Sequence, residues 1–300
     1  MTLDLSGLAV ALATPFTPSG EVDRPAFARL VRHVVVGGVD ALVVLGSTGE
    51  AAIILDAERD LLIATCLEEA QGRPVVVGTG HNATRQATAL TKRAQALGAA
   101  GALVVTPYYN KPTPEGLVAH YAAVAEAAPG LPLVVYNVPG RTGLNVTPAT
   151  LARLWENPQV VAVKESSGNL AQIAEIARTL PRGKQLLSGD DNLAVASLAV
   201  GAVGLVSVMG NALPRETAAL VAAARGGHRE EALRLHQQLL PLMDALFLES
   251  NPIPLKAALQ LLGLGGDAVR LPLVPAAAAT RTRVAEALCL AAEGTIPGVM

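Results

Sequence analysis

The sequence predicts a (β/α)8 barrel followed by a helical C-terminal region, and three observations carry that reading. Eight short apolar, β-branched runs recur along the chain, separated by stretches of helical periodicity. The runs are apolar on both faces, as strands must be when a parallel sheet is covered on both sides. The length of 300 residues also accommodates a barrel of about 250 residues with a remainder. A doubly wound dinucleotide fold would place a GxGxxG turn after its first strand, and the sequence has none there.

Taken in order, the strand runs are 8–13, 41–45, 74–77, 102–105, 133–136, 160–163, 185–187 and 203–208. The intervals between them read as helices. Asp56 precedes a periodic stretch that ends near Gly72. Asn82 is placed to N-cap the next helix and Gly98 to close it as a C′ glycine. Thr147 followed by Pro148 supplies a cap and a proline at N1. After the eighth strand, 215–225, 228–248, 252–262 and an alanine-rich stretch from 275 all read as helix. The first of these completes the barrel. The division expected is 1–226 for the catalytic barrel and 227–300 for the helical region.

Composition narrows the class of function. Hydrophobic residues make up 51% and charged residues 16%, enough for a large core. A net charge of −2 offers no basic field for nucleic acid. Cys66 and Cys289 form neither a metal motif nor a disulfide framework, so a reducing cytoplasm is the expected compartment. Residues 1–10 lack the basic region of a secretory signal. The uncharged segment 192–214 is broken by Ser197, Gly201, Gly204 and Ser207 into a short helix and a short strand, not the ~20 continuous apolar residues of a membrane span. The five histidines show no paired-ligand spacing, and no metal is expected. Asp190 and Asp191 read as an N-cap and a first-turn acid.

Catalytic groups of such barrels gather at the C-terminal ends of the strands. There the sequence places Gly46-Ser47-Thr48-Gly49-Glu50, Thr106-Pro107-Tyr108-Tyr109-Asn110, Tyr136 with Arg141 beyond it, Lys164-Glu165-Ser166-Ser167, and Ser188-Gly189-Asp190-Asp191. Lys164 ends an apolar run, where an ammonium is costly to bury. A desolvated lysine, when neutral, attacks a ketone to form an iminium. Its alternatives are to snorkel to the barrel mouth or to pair with Glu165. Tyr136, one βα unit earlier, is placed to shuttle protons, or simply to pack with its hydroxyl satisfied. Ser47, Thr48 and Tyr109 are hydroxyl relays or ordinary turn residues. Arg141 has the planar fork that grips a carboxylate. The glycine-rich turn 47–49 offers amides for a second one. Gly189 leaves room for a substrate or makes a turn.

Together these motifs, with Ala11-Leu12-Ala13-Thr14-Pro15-Phe16 and NPIPLK at 251–256, resemble the dihydrodipicolinate synthase family. That family lies in the pyruvate-dependent class I lyase/aldolase superfamily, which also includes N-acetylneuraminate lyase. The resemblance spans nearly the whole chain and implies condensation of pyruvate with L-aspartate 4-semialdehyde on the diaminopimelate route to lysine. It implies Lys164 as Schiff-base lysine and Tyr136 as acid/base, in a relay with Ser47 and with Tyr109 from a neighbouring subunit. Thr48 is then the pyruvate-carboxylate residue and Arg141 the semialdehyde-carboxylate residue. Gly189 and Val206 line the pocket, Val206 through its backbone. No cofactor is implied beyond pyruvate held covalently, and a homotetramer is the usual assembly. Two departures stand out. The turn reads GSTGE, a form of the sialic-acid lyase branch, where the synthases usually have GTTGE; Arg141 in RTG follows the synthase pattern. The alternative is an aldolase or dehydratase acting on a 2-keto-3-deoxy sugar acid. At the lysine-effector pocket of inhibited members, Asn82 and Tyr108 match, while Asp56, Arg59 and Gln86 replace imidazoles and a carboxylate. Weak or absent lysine feedback is expected.

Overall fold

In the computed structural model, which describes residues 3–292, eight parallel strands pair in chain order and the eighth returns to the first, closing a barrel. The strands are β1 Gly7–Ala11, β2 Ala41–Val44, β3 Val75–Gly78, β4 Gly101–Val105, β5 Leu133–Asn137, β6 Val160–Glu165, β7 Gln185–Ser188 and β8 Gly204–Ser207. The helices are α1 Arg24–Val36, α2 Asp56–Glu69, α3 Thr84–Ala96, α4 Pro114–Ala127, the single turn α5 Pro139–Thr142, α6 Pro148–Leu154, α7 Leu170–Thr179, α8 Ala194–Ala199 and α9 Pro214–Arg225. Then come α10 Arg229–Ala245, α11 Ile253–Leu261 and α12 Ala278–Ala292. The expected barrel with its trailing helices is therefore the fold. The expected C-terminal region extends to 300, and its residues 293–300 lie outside the described ones, as do residues 1 and 2 of the N-terminal stretch.

The strands bury both faces, and the two faces do different work. Ala11, Val43, Val76, Leu103, Val134, Ala162, Leu187 and Val206 fill the barrel interior. Their alternating neighbours, such as Leu42, Val44, Val75 and Val77, pack outward against helices. That outer core continues through Leu235, Leu239 and Leu242 of α10, Leu255 and Leu259 of α11 and Val284 of α12. Full burial of each such side chain is worth about 1.5–3 kcal/mol.

Local chemistry sets the helix ends. Asp23, Thr113, Thr147 and Asn169 accept the N–H groups of Ala26, Gly116, Thr150 and Gln172. Gly98, at φ +96°, follows α3 as expected. Asn82 does not cap that helix. Ala83 holds the cap position and no side chain satisfies it. Among the described residues, no helix is long and apolar enough to cross a membrane.

Candidate active site

One register shift decides where the lysine points. β5 and β6 pair as Leu133 with Val160 and then Val134 with Ala162, so Val161 is skipped. Val160 faces the outer core, but past the shift Ala162 and Lys164 face the barrel interior. Lys164 then lies level with Tyr136 on β5. It is only 4% exposed, and its Nζ stands 4.3 Å from the centroid of the Tyr136 ring. Tyr136 is itself buried among the interior side chains.

Alternation sends Glu165 the other way, so the pairing of Lys164 with Glu165 does not form. The Glu165 carboxylate accepts from Asn137 Nδ2 at 3.1 and 3.0 Å and from the Ser167 amide at 2.8 Å. Lys164 is left with other company. A Cβ on Gly189 would sit 1.9 Å from Ser166 Oγ and 2.7 Å from Lys164 Cε. The missing side chain of Gly189 therefore makes room for the lysine itself. The carboxyl of Asp190 is pushed up to about 6 by burial, against the pull of the Lys164 charge.

Asp190 and Asp191 take the expected positions, N-cap and first-turn acid of the short 3-10 turn Asp191–Leu193, but their side chains bond elsewhere. Asp190 makes no side-chain cap bond. Asp191 is buried and accepts from the Ser207 hydroxyl at 2.5 Å and from the amides of Val208 and Met209 at 2.9 and 3.1 Å. It fastens the end of β8 to the end of β7. A buried carboxylate requires several donors, and the end of β8 supplies them.

The 46–50 turn follows β2. Its Gly49 and Glu50 amides, and that of Ala51 just after it, bond back to the carbonyls of Gly46 and Ser47, while those of Ser47 and Thr48 donate to nothing within the described chain. Thr48 is buried, and its Oγ1 accepts from Asn251 Nδ2 at 2.9 Å. Across the rim, Arg141 is exposed and donates to the Asn251 carbonyl at 3.0 Å. Asn251 thus joins the residue expected at one carboxylate to the residue expected at the other.

A cavity of about 500 Å³ opens over this rim, with Ser47, Tyr136, Val138, Arg141 and Asn251 on its wall. It continues past β3 to Arg59, Gln86 and Tyr108. Lys164, Thr48, Gly189 and Val206 are not on that wall; Val206 packs in the interior cluster with Tyr136. Tyr109 stands apart, 88% exposed, in the left-handed region at φ +71°. Within one chain it does not reach the pocket wall. Among the described residues no group of three or more His, Cys, Asp or Glu is placed to hold a metal.

Comparison with known proteins agrees with this geometry. The profile of the Dihydrodipicolinate synthetase family matches residues 4–291. The chain belongs to that family. A family relative from Thermomicrobium roseum, a 4-hydroxy-tetrahydrodipicolinate synthase, is 47% identical over 285 residues, covering 95% of this chain and 94% of its own. The solved dihydrodipicolinate synthase of Thermotoga maritima superposes with a TM-score of 0.93 at 42% identity, over 96% of this chain and 98% of that one. The chloride-inhibited family member from Acinetobacter baumannii, solved in complex with pyruvate, gives a TM-score of 0.94 at 40% identity, over 98% and 100%.

Sequence reasoning missed Asn251 and the buried pair of Glu50 with Lys256. One signal was present: Lys256 is a lone charge in the apolar stretch 252–262. The argument applied to Lys164 applies to it equally.

Proposed function

We infer that this chain is a 4-hydroxy-tetrahydrodipicolinate synthase that condenses pyruvate, held on Lys164, with L-aspartate 4-semialdehyde. The observation that carries the mechanism is the register pair of Lys164 and Tyr136 inside the barrel. The free amides of Ser47 and Thr48, with the Thr48 hydroxyl, receive the pyruvate carboxylate. Once Lys164 has given up its proton, its amine adds to the C2 carbonyl, giving a carbinolamine, and loss of water leaves the iminium. Tyr136 delivers the proton that the departing hydroxyl needs. Loss of a C3 proton gives the enamine, whose C3 attacks the aldehyde carbon of the second substrate. The substrate amine then adds to C2, closing the ring and releasing Lys164. The reaction joins one pyruvate to one semialdehyde and expels one water.

Arg141 at the cavity rim supplies a second carboxylate site, which two acidic substrates require. The exposure of Tyr109 supports its donation to a neighbouring copy, as part of a homotetramer built from dimers. We place the enzyme in the cytoplasm, with 1–226 as catalytic barrel and 227–300 as a region that completes it; the outer core shared by the barrel and α10–α12 supports that role.

Turnover of L-aspartate 4-semialdehyde with pyruvate, against cleavage of 2-keto-3-deoxy sugar acids, tests the assignment. The semialdehyde is expected to be the preferred substrate by orders of magnitude. Preference for a sugar acid would move the chain to the aldolase or dehydratase reading.

A further inference from the structure

The 46–50 turn is held in an uncommon shape. It is bounded by two non-glycine residues in the left-handed region, Leu45 at φ +60° and Glu50 at φ +54°. Side chains disfavour that conformation, so it persists only where surrounding contacts over-determine it. On one side the Leu45 carbonyl crowds β3 so closely that a Cβ on Gly78 would lie 1.8 Å from it. On another, the Thr14 hydroxyl donates to the Gly49 carbonyl at 2.8 Å.

The remaining contacts come from the far end of the chain. Lys256 of α11 is fully buried and pairs with the Glu50 carboxylate, which is 5% exposed. Lys256 Nζ also donates to the Ala268 carbonyl at 2.8 Å and stands 4.0 Å from the Phe16 ring centroid. The Arg270 guanidinium lies 4.4 Å from the same ring and is paired to Glu58. Asn251, just before α11, donates to Thr48 Oγ1. That bond holds Thr48 in place. With Asn251 donating, the Thr48 hydroxyl proton is turned away from it.

A buried ion pair seldom stabilises a fold more than apolar residues of the same volume, so stability alone does not account for this one. We propose that Glu50, Lys256 and Asn251 are positioning residues for pyruvate: the start of α11 locks the 46–50 turn in the shape that presents Ser47 and Thr48 to the pyruvate carboxylate. The inference rests on the assignment of that turn to pyruvate made above. None of the three is placed at the reacting carbons; Glu50, Lys256 and the Asn251 side chain act on the turn, while the Asn251 contact with Arg141 is made by its backbone carbonyl, which the substitutions below retain.

The test uses the full-length enzyme carrying Glu50→Gln and Lys256→Met together, which removes both charges at similar volume. Its melting temperature is expected to stay close to wild type. KM for pyruvate is expected to rise about tenfold or more, with kcat and the semialdehyde KM changed far less. Borohydride trapping of pyruvate on Lys164 should show the same rise in half-saturation. A folded double variant with unchanged pyruvate half-saturation would overturn the proposal, leaving the pair purely structural. Should the double variant fail to fold, Asn251→Ala decides, since it leaves the ion pair intact. The same rise for pyruvate is expected, and an unchanged value would overturn the proposal. Wild-type enzyme that traps no pyruvate would instead refute the Schiff-base assignment on which it stands.

Discussion

Replacing Gly189 by alanine tests whether the lysine needs the space that this glycine leaves. No positive φ constrains position 189, so the backbone accepts alanine, and the effect is purely steric. The new methyl would lie 2.7 Å from Lys164 Cε and 3.1 Å from Lys164 Cγ, inside carbon–carbon contact distance. Restoring a contact of about 3.5–4 Å requires the lysine chain to retreat by about 1 Å. Ser166 Oγ, only 1.9 Å away, has no hydrogen-bond partner and can rotate aside without losing a bond. The fold therefore yields easily, and the reacting geometry does not. A displacement of about 1 Å costs on the order of 100-fold in rate, or about 2.7 kcal/mol of barrier. Steady-state kinetics should show kcat/KM for pyruvate down by about that factor, with a melting temperature near wild type. A folded Gly189→Ala enzyme within about threefold of wild type would refute the steric reasoning.

Three further outcomes follow from the same geometry. Arg141→Ala loses a charge-assisted carboxylate contact of about 2 kcal/mol, so kcat/KM for the semialdehyde should fall roughly 30-fold, while pyruvate trapping is unchanged; equal losses for both substrates would contradict its assignment. His120 is buried, with Nδ1 bonded to the Thr84 hydroxyl and Nε2 unpartnered, and burial lowers it to about 4. Because the unfolded chain takes up that proton first, near 6.5, this site's contribution is full above pH 6.5 and declines by about 3 kcal/mol as pH falls toward 4. Chemical denaturation across that range should show the loss in wild type but not in His120→Gln; parallel curves would contradict it. Finally, the far wall of the cavity carries Asp56, Arg59, Gln86 and Tyr108, and the Arg59 guanidinium, facing Asp56, offsets the one carboxylate there that would hold the ammonium of lysine. Sub-millimolar lysine should leave the steady-state rate unchanged, and clear inhibition would refute the reading.

Local signals and long-range ones differed sharply in how well the sequence displayed them. The eight strands were legible because two-sided apolar runs have few other uses, and Thr147-Pro148 and Gly98 because capping is decided within a few residues. Asp190 and Asp191 were placed correctly as N-cap and first-turn acid, but the partners of their side chains were not legible. Their cap-like spacing was real, but Ser207, Val208 and Met209, brought up by β8, took the buried carboxylate of Asp191. The inward turn of Lys164 was likewise hidden, since it depends on a register shift against β5 that no pattern in 160–164 announces. Gly189 was flagged as space for substrate, and the space it leaves lies against the Lys164 side chain, a contact no local pattern displays. Asn251 and Lys256 lay within a motif that matched the family, yet their partners Thr48, Arg141 and Glu50 stand more than a hundred residues away in the chain. Only closure of the barrel with α11 against it brings them together.

The central claim is that a buried amine at Lys164 captures pyruvate. Incubation with pyruvate and borohydride, followed by peptide mapping, tests it most directly. The account predicts one stable reduced adduct per chain, on the peptide containing Lys164, and none when pyruvate is omitted. An adduct on another lysine, or no adduct in an enzyme that turns over, would contradict it.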